Sequence, residues 1–195
     1  MDWILDLGVP YLTVYALSTE NITSRKPEEL DALFDLYVEG LNDLSKDERI
    51  LKNKVKVQVA GRKDLLPKRV LAAIDNAENV TANHDKFVFT VCLAYGSREE
   101  IIEAVRTIAA DHADGNLDLD AIDETEISKR LWTGDMPDPD LVIRTSGEER
   151  ISNFLLWQSA YSEYYFTDVY WPSFSQNDLL EAIETYQQRK RRFGE

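Results

Sequence analysis

Short apolar segments of strand type alternate with longer segments of helical periodicity along this 195-residue chain, and no other feature constrains the fold as strongly. Valine at every second position of residues 55–59 and the apolar run of residues 87–94 are typical of strands. Strands that alternate with helices predict parallel pairing, because each crossover then contains a helix. We therefore predict an α/β fold, with a mostly parallel central sheet surrounded by helices in a single domain of residues 1–195.

The same patterns predict the other elements. The most apolar strand, residues 87–94, is expected at the centre of the sheet. Further strands are predicted at residues 11–17, 141–143 and 164–170. Helices are predicted from Pro27, over residues 67–82, after Ser97 and after the capping pair Ser175 and Asp178. The helix after Ser97 is expected to turn four side chains toward the core: Ile101, Ile102, Val105 and Ile108.

The segment that is most informative about function is residues 140–163. A short apolar run ends at Ile143, and two arginines, several hydroxyls and a glycine follow within nine residues. Guanidinium groups bind phosphate oxygens in a bidentate way, and open α/β folds bind ligands at the carboxyl ends of their strands. Arg144, Arg150 and Ser152 are therefore a candidate anion site, and Glu163 is a candidate for holding a cation that the phosphates share.

Each of these features also has a purely structural interpretation. The two arginines could pair with Glu148 and Glu149 in a surface loop, and residue chemistry alone leaves this alternative open. Ser18 and Asn21 directly follow a predicted strand, where they could bind a ligand or cap the next helix. By residue type alone, the capping turn is favoured for them.

The net charge excludes one class of function. It is −14, whereas a nucleic-acid-binding protein needs a basic surface, so no nucleic-acid partner is expected. A local group of arginines can still bind a small anion. Salt screens the acidic groups that lie more than a Debye length away, so the arginines closest to the anion dominate. The lone Cys92 lies in an apolar run and indicates a buried thiol in a reducing compartment. With no signal peptide and no apolar run long enough to span a bilayer, a cytoplasmic location is expected.

Three stretches together resemble the cis-prenyltransferases, the undecaprenyl diphosphate synthase family. Residues 143–158 read IRTSGEERISNFLLWQ, followed by a tyrosine and Glu163. Residues 12–21 read LTVYALSTEN, and residues 165–172 read YFTDVYWP. The match ends at Arg192 and Gly194 and covers nearly the whole chain, which makes it far more specific than a lone glycine motif.

The resemblance implies that isopentenyl diphosphate condenses with an allylic diphosphate to form new Z double bonds. It assigns Arg144, Arg150 and Ser152 to isopentenyl diphosphate and Glu163 to Mg²⁺. It places Ser18 and Asn21 near the departing proton. It further implies a homodimer that touches membranes at most peripherally, through a lipid product. Three more residues are assigned to substrate binding, the last two acting across the dimer interface: Arg25, Arg192 and Gly194.

The chain departs from the family pattern at its start. The family begins with a strand and an Asp-Gly-Asn type loop that holds the allylic diphosphate and magnesium, and this sequence contains neither. We therefore expect an N-terminally truncated form that is impaired in turnover and less stable. A non-catalytic accessory subunit of a two-chain cis-prenyltransferase is one alternative. An α/β domain that binds another phosphorylated metabolite is a second.

Overall fold

The computed structural model describes residues 1–189, and the chain divides into two compact units, Met1–Glu100 and Ile101–Glu195. Every strand pair within residues 1–189 is parallel, which confirms the α/β class. The expectation of one domain over residues 1–195 stays a prediction. None of the helices within residues 1–189 combines the length and apolar character that crossing a bilayer requires.

The first unit contains a three-stranded parallel sheet in the order β1-β3-β2. Its strands are β1 (Tyr11–Ser18), β2 (Val55–Ala60) and β3 (Phe87–Tyr95). Its helices are α1 (Asp2–Asp6), α2 (Thr19–Ser24), α3 (Pro27–Leu44), α4 (Glu48–Lys52) and α5 (Lys68–Val80). β3 lies between its two partners, as its apolar sequence predicted, and Cys92 within it is fully buried.

The core of this unit lies between the sheet and the amphipathic helices α3 and α5. Val55, Val57 and Leu93 from the sheet and Val70 and Ile74 from α5 are all 1% exposed or less. Burying side chains of this size stabilises a fold by about 1.5–3 kcal/mol each before conformational entropy is subtracted. The same alternation of valines that predicted β2 therefore also supplies its inward face.

The outer edge of β2 is covered by side chains from the end of α5 and from the residues that follow it. The backbone N–H of Val57 donates to Thr81 Oγ1 at 3.0 Å, and that of Val59 donates to Glu78 Oε1 at 2.8 Å. His84 Nδ1 lies 2.9 Å from the carbonyl oxygen of Val55. These three contacts satisfy peptide groups that β3, on the other side of the strand, cannot reach.

The second unit contains the two-stranded parallel sheet of β4 (Leu141–Arg144) and β5 (Glu163–Phe166). Its helices are α7 (Glu124–Ser128) and α8 (Gln176–Gln188), and α6 (Ser97–Ala113) runs into it from the first unit. α8 begins at the predicted capping box, in which Ser175 and Asp178 bond each other's backbone N–H groups. The Asp123 side chain caps α7 by accepting from Glu126 N at 2.8 Å.

Two predictions about elements were wrong. The last strand was expected to reach residue 170 but ends at Phe166, because Thr167 and Val169 offer their carbonyls to loop residues Gly147 and Ser146 instead. On α6, Ile102 and Val105 were expected in the core but are 50% and 54% exposed. Two buried positions of α6 are apolar, Ala104 and Ile108, and two are polar, Ser97 and Glu100. Hydrophobic periodicity does not detect the polar pair.

Candidate functional site

The loop that follows β4 holds an unusual number of left-handed backbone conformations. Of the non-glycine residues with positive φ within residues 1–189, four lie in this loop: Ser146, Ser152, Asn153 and Leu155, with φ between 47° and 72°. Gly147 adds a fifth left-handed position at 69°. Such conformations cost on the order of 1–2 kcal/mol each for ordinary residues, and they cluster where a loop shape serves a function.

Hydrogen bonds hold the first turn of this loop in place. The N–H of Ser146 donates to Val169 O and that of Gly147 to Thr167 O, both at 2.9 Å. Thr167 N donates to Arg144 O at 3.0 Å. The backbone at the end of β4 and directly after it is therefore held against residues 167–169.

Arg144 is the last residue of β4, where sequence patterns placed it. It is half-buried, and its guanidinium enters none of the ion pairs formed among residues 1–189. Val142, on the same strand, is buried. A cation held at the carboxyl end of a parallel strand is well placed to receive an anion.

Arg150 pairs with Glu148, as the surface-loop interpretation predicted in part. Both side chains are exposed, 64% for Arg150 and 41% for Glu148. Exposed pairs of this kind contribute at most about 1 kcal/mol, so Glu148 competes weakly with a phosphate that accepts two hydrogen bonds. Ser152 is also exposed, on the same loop. The arrangement leaves both residues accessible to a ligand.

Glu163 lies at the other end of the β4–β5 ladder from Arg144. In the parallel register Glu163 pairs with Leu141, whereas Arg144 pairs with Phe166. Three residue steps separate the two levels, about 10 Å along the strands. The Glu163 carboxylate accepts from Arg189 at 2.7 Å. Sequence reasoning missed this partner, because Arg189 reads only as part of a basic helix end.

The described residues offer Mg²⁺ few protein ligands. No group of three or more His, Cys, Asp or Glu side chains that could hold a metal occurs within residues 1–189. Glu163, the predicted ligand, accepts from Arg189, and its role as a ligand stays a prediction, since Mg²⁺ commonly takes one or two protein carboxylates beside substrate phosphates. No step of a mechanism is therefore derived through the metal.

In the first unit, Ser18 and Asn21 form the helix cap that residue types favoured. Ser18 is the N-cap of α2, and its hydroxyl accepts from Asn21 N at 3.1 Å. The next residue, Thr19, is buried and donates from its hydroxyl to Glu99 Oε1 at 3.1 Å. Their assigned role near the departing proton stays a prediction.

Tyr15 fixes the end of β1 just before this cap. Its phenol donates to the backbone carbonyl of Tyr95 at 3.1 Å, and the two rings meet edge to face with centroids 5.9 Å apart. Burial and the charge of Glu20 raise the pKa of Tyr15, so its phenol stays protonated at neutral pH. Tyr15 and Thr19 escaped the sequence analysis, because a strand tyrosine and a buried threonine carry no signal of their own.

Arg25 is joined to this cap through the backbone, because its N–H donates to Asn21 O at 3.1 Å. Arg25 is the C-cap of α2 and pairs with Glu29 on the first turn of α3. Both side chains are exposed. Arg192 and Gly194 lie outside the described residues, so their assignment stays a prediction.

Comparison with known proteins gives one consistent result. Residues 1–194 match the model of a family described as undecaprenyl diphosphate synthase. A protein from Methanopyrus kandleri, named tritrans,polycis-undecaprenyl-diphosphate synthase (geranylgeranyl-diphosphate specific), is 56% identical over 194 residues, which cover 100% of this chain and 71% of that protein. A Thermoplasma volcanium protein of the same name is 50% identical and is covered to 75%.

Two solved structures are similar to this chain over its whole length. The chain is similar to lavandulyl diphosphate synthase from Lavandula x intermedia, solved in complex with dimethylallyl diphosphate. The TM-score is 0.94 at 38% identity, over 100% of this chain and 83% of that one. A probable undecaprenyl diphosphate synthase from Campylobacter jejuni gives a TM-score of 0.85 at 29% identity, over 100% and 88%. These comparisons support neither the expected impairment nor the accessory-subunit alternative.

Proposed function

Since the chain belongs to the undecaprenyl diphosphate synthase family and is therefore a prenyltransferase, we propose that it condenses isopentenyl diphosphate with an allylic diphosphate to give a Z-polyprenyl diphosphate. The observation that carries this proposal is the loop after β4. There, left-handed backbone positions shape a short segment in which Arg144 is half-buried and unpaired within residues 1–189 and Arg150 is only weakly paired. Such a segment suits a diphosphate.

The allylic substrate that we propose is geranylgeranyl diphosphate. The relatives from Methanopyrus kandleri and Thermoplasma volcanium, at 56% and 50% identity, are both named as specific for it. The lavandulyl diphosphate synthase, solved with dimethylallyl diphosphate, is less similar at 38%. Identity therefore favours the C20 substrate over the C5 one.

The residues of the β4 loop would act by binding and orientation. Arg144 and Arg150 would donate to the diphosphate of isopentenyl diphosphate, and the Ser152 hydroxyl would add a third donor. Charge-assisted hydrogen bonds of this kind contribute about 1.5–3 kcal/mol each. Holding both reactants in a productive geometry supplies much of the catalysis in a condensation of this type.

Proton removal is assigned to the end of β1. The Ser18 oxygen accepts from Asn21 N, and the Ser18 side chain is also hydrogen-bonded to the Tyr15 phenol. We propose that Ser18 and the Asn21 amide lie near the homoallylic carbon that loses its proton. Arg25, exposed one turn later, is proposed to bind substrate phosphate in place of Glu29.

A homodimer and a magnesium requirement belong to the same proposal. Four aromatic side chains of the second unit are well exposed, as is common at protein interfaces: Tyr161, Phe166, Tyr170 and Trp171. Arg192 and Gly194 would contribute to substrate binding across that interface. Mg²⁺ would neutralise the diphosphates, and the cytoplasmic location stays a prediction.

The test is a steady-state assay of the 195-residue chain with isopentenyl diphosphate and, separately, dimethylallyl, farnesyl and geranylgeranyl diphosphate. Geranylgeranyl diphosphate should give the highest kcat/KM, with Z double bonds in the product by NMR. Robust turnover would also refute the expectation of an impaired chain. No turnover with any allylic substrate and no binding of isopentenyl diphosphate would refute the proposed function.

One arginine variant and a matched control test whether isopentenyl diphosphate binds at Arg150. Arg150→Ala is expected to raise the KM for isopentenyl diphosphate by about 10- to 100-fold, the equivalent of a lost charge-assisted bond. The matched control is Arg106→Ala, which removes an exposed arginine paired with Glu103 on α6. Equal KM values for isopentenyl diphosphate in the two variants would show that Arg150 does not bind this substrate.

A further inference from the structure

The Tyr15 phenol lies between the Ser18 hydroxyl and the end of β3. It donates its hydrogen to the backbone carbonyl of Tyr95 at 3.1 Å. The same phenol is also hydrogen-bonded to the Ser18 side chain. A phenol has a single hydrogen, and here that hydrogen is given to Tyr95 O. In the bond between the two side chains, the Ser18 hydroxyl is therefore the donor and the Tyr15 oxygen the acceptor.

The electrostatics of Tyr15 agree with this direction. Burial and the charge of Glu20 raise the pKa of Tyr15, whereas the hydrogen bond with Ser18 lowers it. A hydroxyl that donates to a phenol oxygen stabilises the charged form and so lowers the pKa of the phenol. Because the pKa is raised on balance, the phenol keeps its hydrogen at neutral pH and both bonds keep their direction.

A local irregularity of β1 brings the two side chains together. Residues three apart in a regular strand point to opposite faces of the sheet, as Tyr15 and Ser18 would. The register of β1 with β3 shifts between Tyr15 and Leu17 and again between Leu17 and Ser18. On β3, Ala94 has a φ of 51°, which is unfavourable for a residue with a Cβ. Irregularities of this kind are frequent beside active sites.

The contacts of the Ser18 hydroxyl determine what it can offer to a substrate. Its hydrogen is given to Tyr15, and one of its two lone pairs accepts from Asn21 N at 3.1 Å. The second lone pair remains. Ser18 is only half-buried. It can therefore accept from a ligand, but in this orientation it cannot donate to one.

We propose that Tyr15 is a positioning residue, which holds the hydrogen of the Ser18 hydroxyl so that Ser18 presents only a lone pair to the substrate. The inference rests on the proposed function, in which Ser18 lies near the carbon that loses its proton. Positive charge develops beside that carbon when the double bond of isopentenyl diphosphate attacks. A fixed lone pair stabilises such charge, whereas a hydroxyl hydrogen in the same place would oppose it.

The chain of hydrogen bonds through Tyr15 is suited to orientation rather than to carrying a proton away. Ser18 donates to Tyr15 and Tyr15 donates to Tyr95 O, a backbone carbonyl that takes up no proton at neutral pH. The end of the chain is rigid, because Tyr95 is fully buried and its ring meets that of Tyr15 edge to face. The Ser18 hydroxyl thus has a fixed reference.

The experiment compares Tyr15→Phe, Ser18→Ala and the double variant with the parent chain. Phenylalanine keeps the ring against Tyr95 and removes only the hydroxyl. The matched control is Tyr37→Phe, because the Tyr37 phenol is also half-buried and donates to a backbone carbonyl of β1, that of Ala16, at 2.8 Å. Assays with geranylgeranyl diphosphate give kcat and the KM for isopentenyl diphosphate. Isopentenyl diphosphate deuterated at the carbon that loses its proton gives the isotope effect on kcat.

If Tyr15 orients Ser18, Tyr15→Phe should lower kcat about 3- to 10-fold, because a released hydroxyl can rotate among three staggered positions. The KM for isopentenyl diphosphate should change by less than about twofold. The isotope effect should rise, since proton removal then limits the rate more strongly. The double variant should have the kcat of Ser18→Ala, and Tyr37→Phe should have the kcat of the parent chain.

Equal kcat values in Tyr15→Phe and Tyr37→Phe would overturn the inference. A further fall in kcat when Tyr15→Phe is added to Ser18→Ala would overturn it as well. Urea unfolding tests the contact without turnover: the double variant should lose less in its midpoint than the two single variants together, and additive losses would count against the bond. A chain without turnover would refute the proposed function, while the urea comparison would still decide whether Tyr15 holds Ser18.

Discussion

The phenol of Tyr95 donates a hydrogen bond to Glu100 Oε2 at 2.5 Å, and both side chains are fully buried. Burial and the neighbouring carboxylate raise the pKa of Tyr95, so the phenol remains a donor throughout the neutral range. The contact spans the turn between β3 and α6. It therefore couples the central strand to the start of the helix that follows it.

Tyr95→Phe should destabilise the chain by about 1–3 kcal/mol, because a buried carboxylate loses a donor that water cannot replace. Tyr15→Phe is the matched control: its phenol is half-buried and donates to a neutral carbonyl, so about 0.5–1.5 kcal/mol is expected. Urea unfolding followed by circular dichroism measures both. A smaller loss for Tyr95→Phe than for Tyr15→Phe would contradict this account.

Gly147→Ala should weaken substrate binding as well as folding. Gly147 has φ +69°, and an added Cβ would lie 2.9 Å from Asp168 Oδ1. Gly115→Ala is the control, since its φ is +75° and a Cβ there would meet nothing within 4 Å. Both should lower the free energy of unfolding by about 1 kcal/mol. Only Gly147→Ala should raise the KM for isopentenyl diphosphate, and an equal rise in both would be evidence against a site at this loop.

Ser18→Ala should lower kcat by more than the loss of a helix cap explains. Removing the cap costs about 1 kcal/mol of stability. Asp123→Ala deletes a cap of the same kind on α7 and should cost a similar amount with kcat unchanged. If Ser18 takes part in proton removal, the kcat of Ser18→Ala should be lower than that of the parent chain by about tenfold or more. Equal kcat values in the two variants would restrict Ser18 to its structural role.

The stability of the first unit should decline in acid partly through Asp47. Hydrogen bonds from Arg49 lower the pKa of Asp47 from 3.8 to about 2, and Arg49 also pairs with Asp2 on α1. A carboxyl with a depressed pKa stabilises the folded state above 3.8, and this contribution is lost as the pH falls toward 2. Asp47→Asn should therefore reduce the drop in Tm between pH 5 and pH 2. An undiminished drop would show that other carboxyls dominate.

Sequence patterns predicted the features that depend on local periodicity and capping. The central position of β3 followed from its apolar run, and the start of α8 followed from Ser175 and Asp178, because both signals act within a few residues. The buried polar residues of α6 could not be predicted, since Glu100 is stabilised by a tyrosine that precedes the helix.

The candidate site was predictable only as far as strand ends could locate it. Arg144 lies where an apolar run stops, and the structure places it there. The partner of Glu163 was beyond reach, because 26 residues separate it from Arg189 and only the packing of α8 beside β5 brings them together. The left-handed positions at Ser152 and Leu155 leave no trace in residue type.

The side chains of Thr81, Glu78 and His84 have a consequence for how this sheet can associate with other chains. Their bonds to Val57, Val59 and Val55 occupy the peptide groups that an incoming β-segment would need. Intermolecular strand addition is therefore blocked along β2, and an extra strand recruited to the three-stranded sheet would have to join alongside β1.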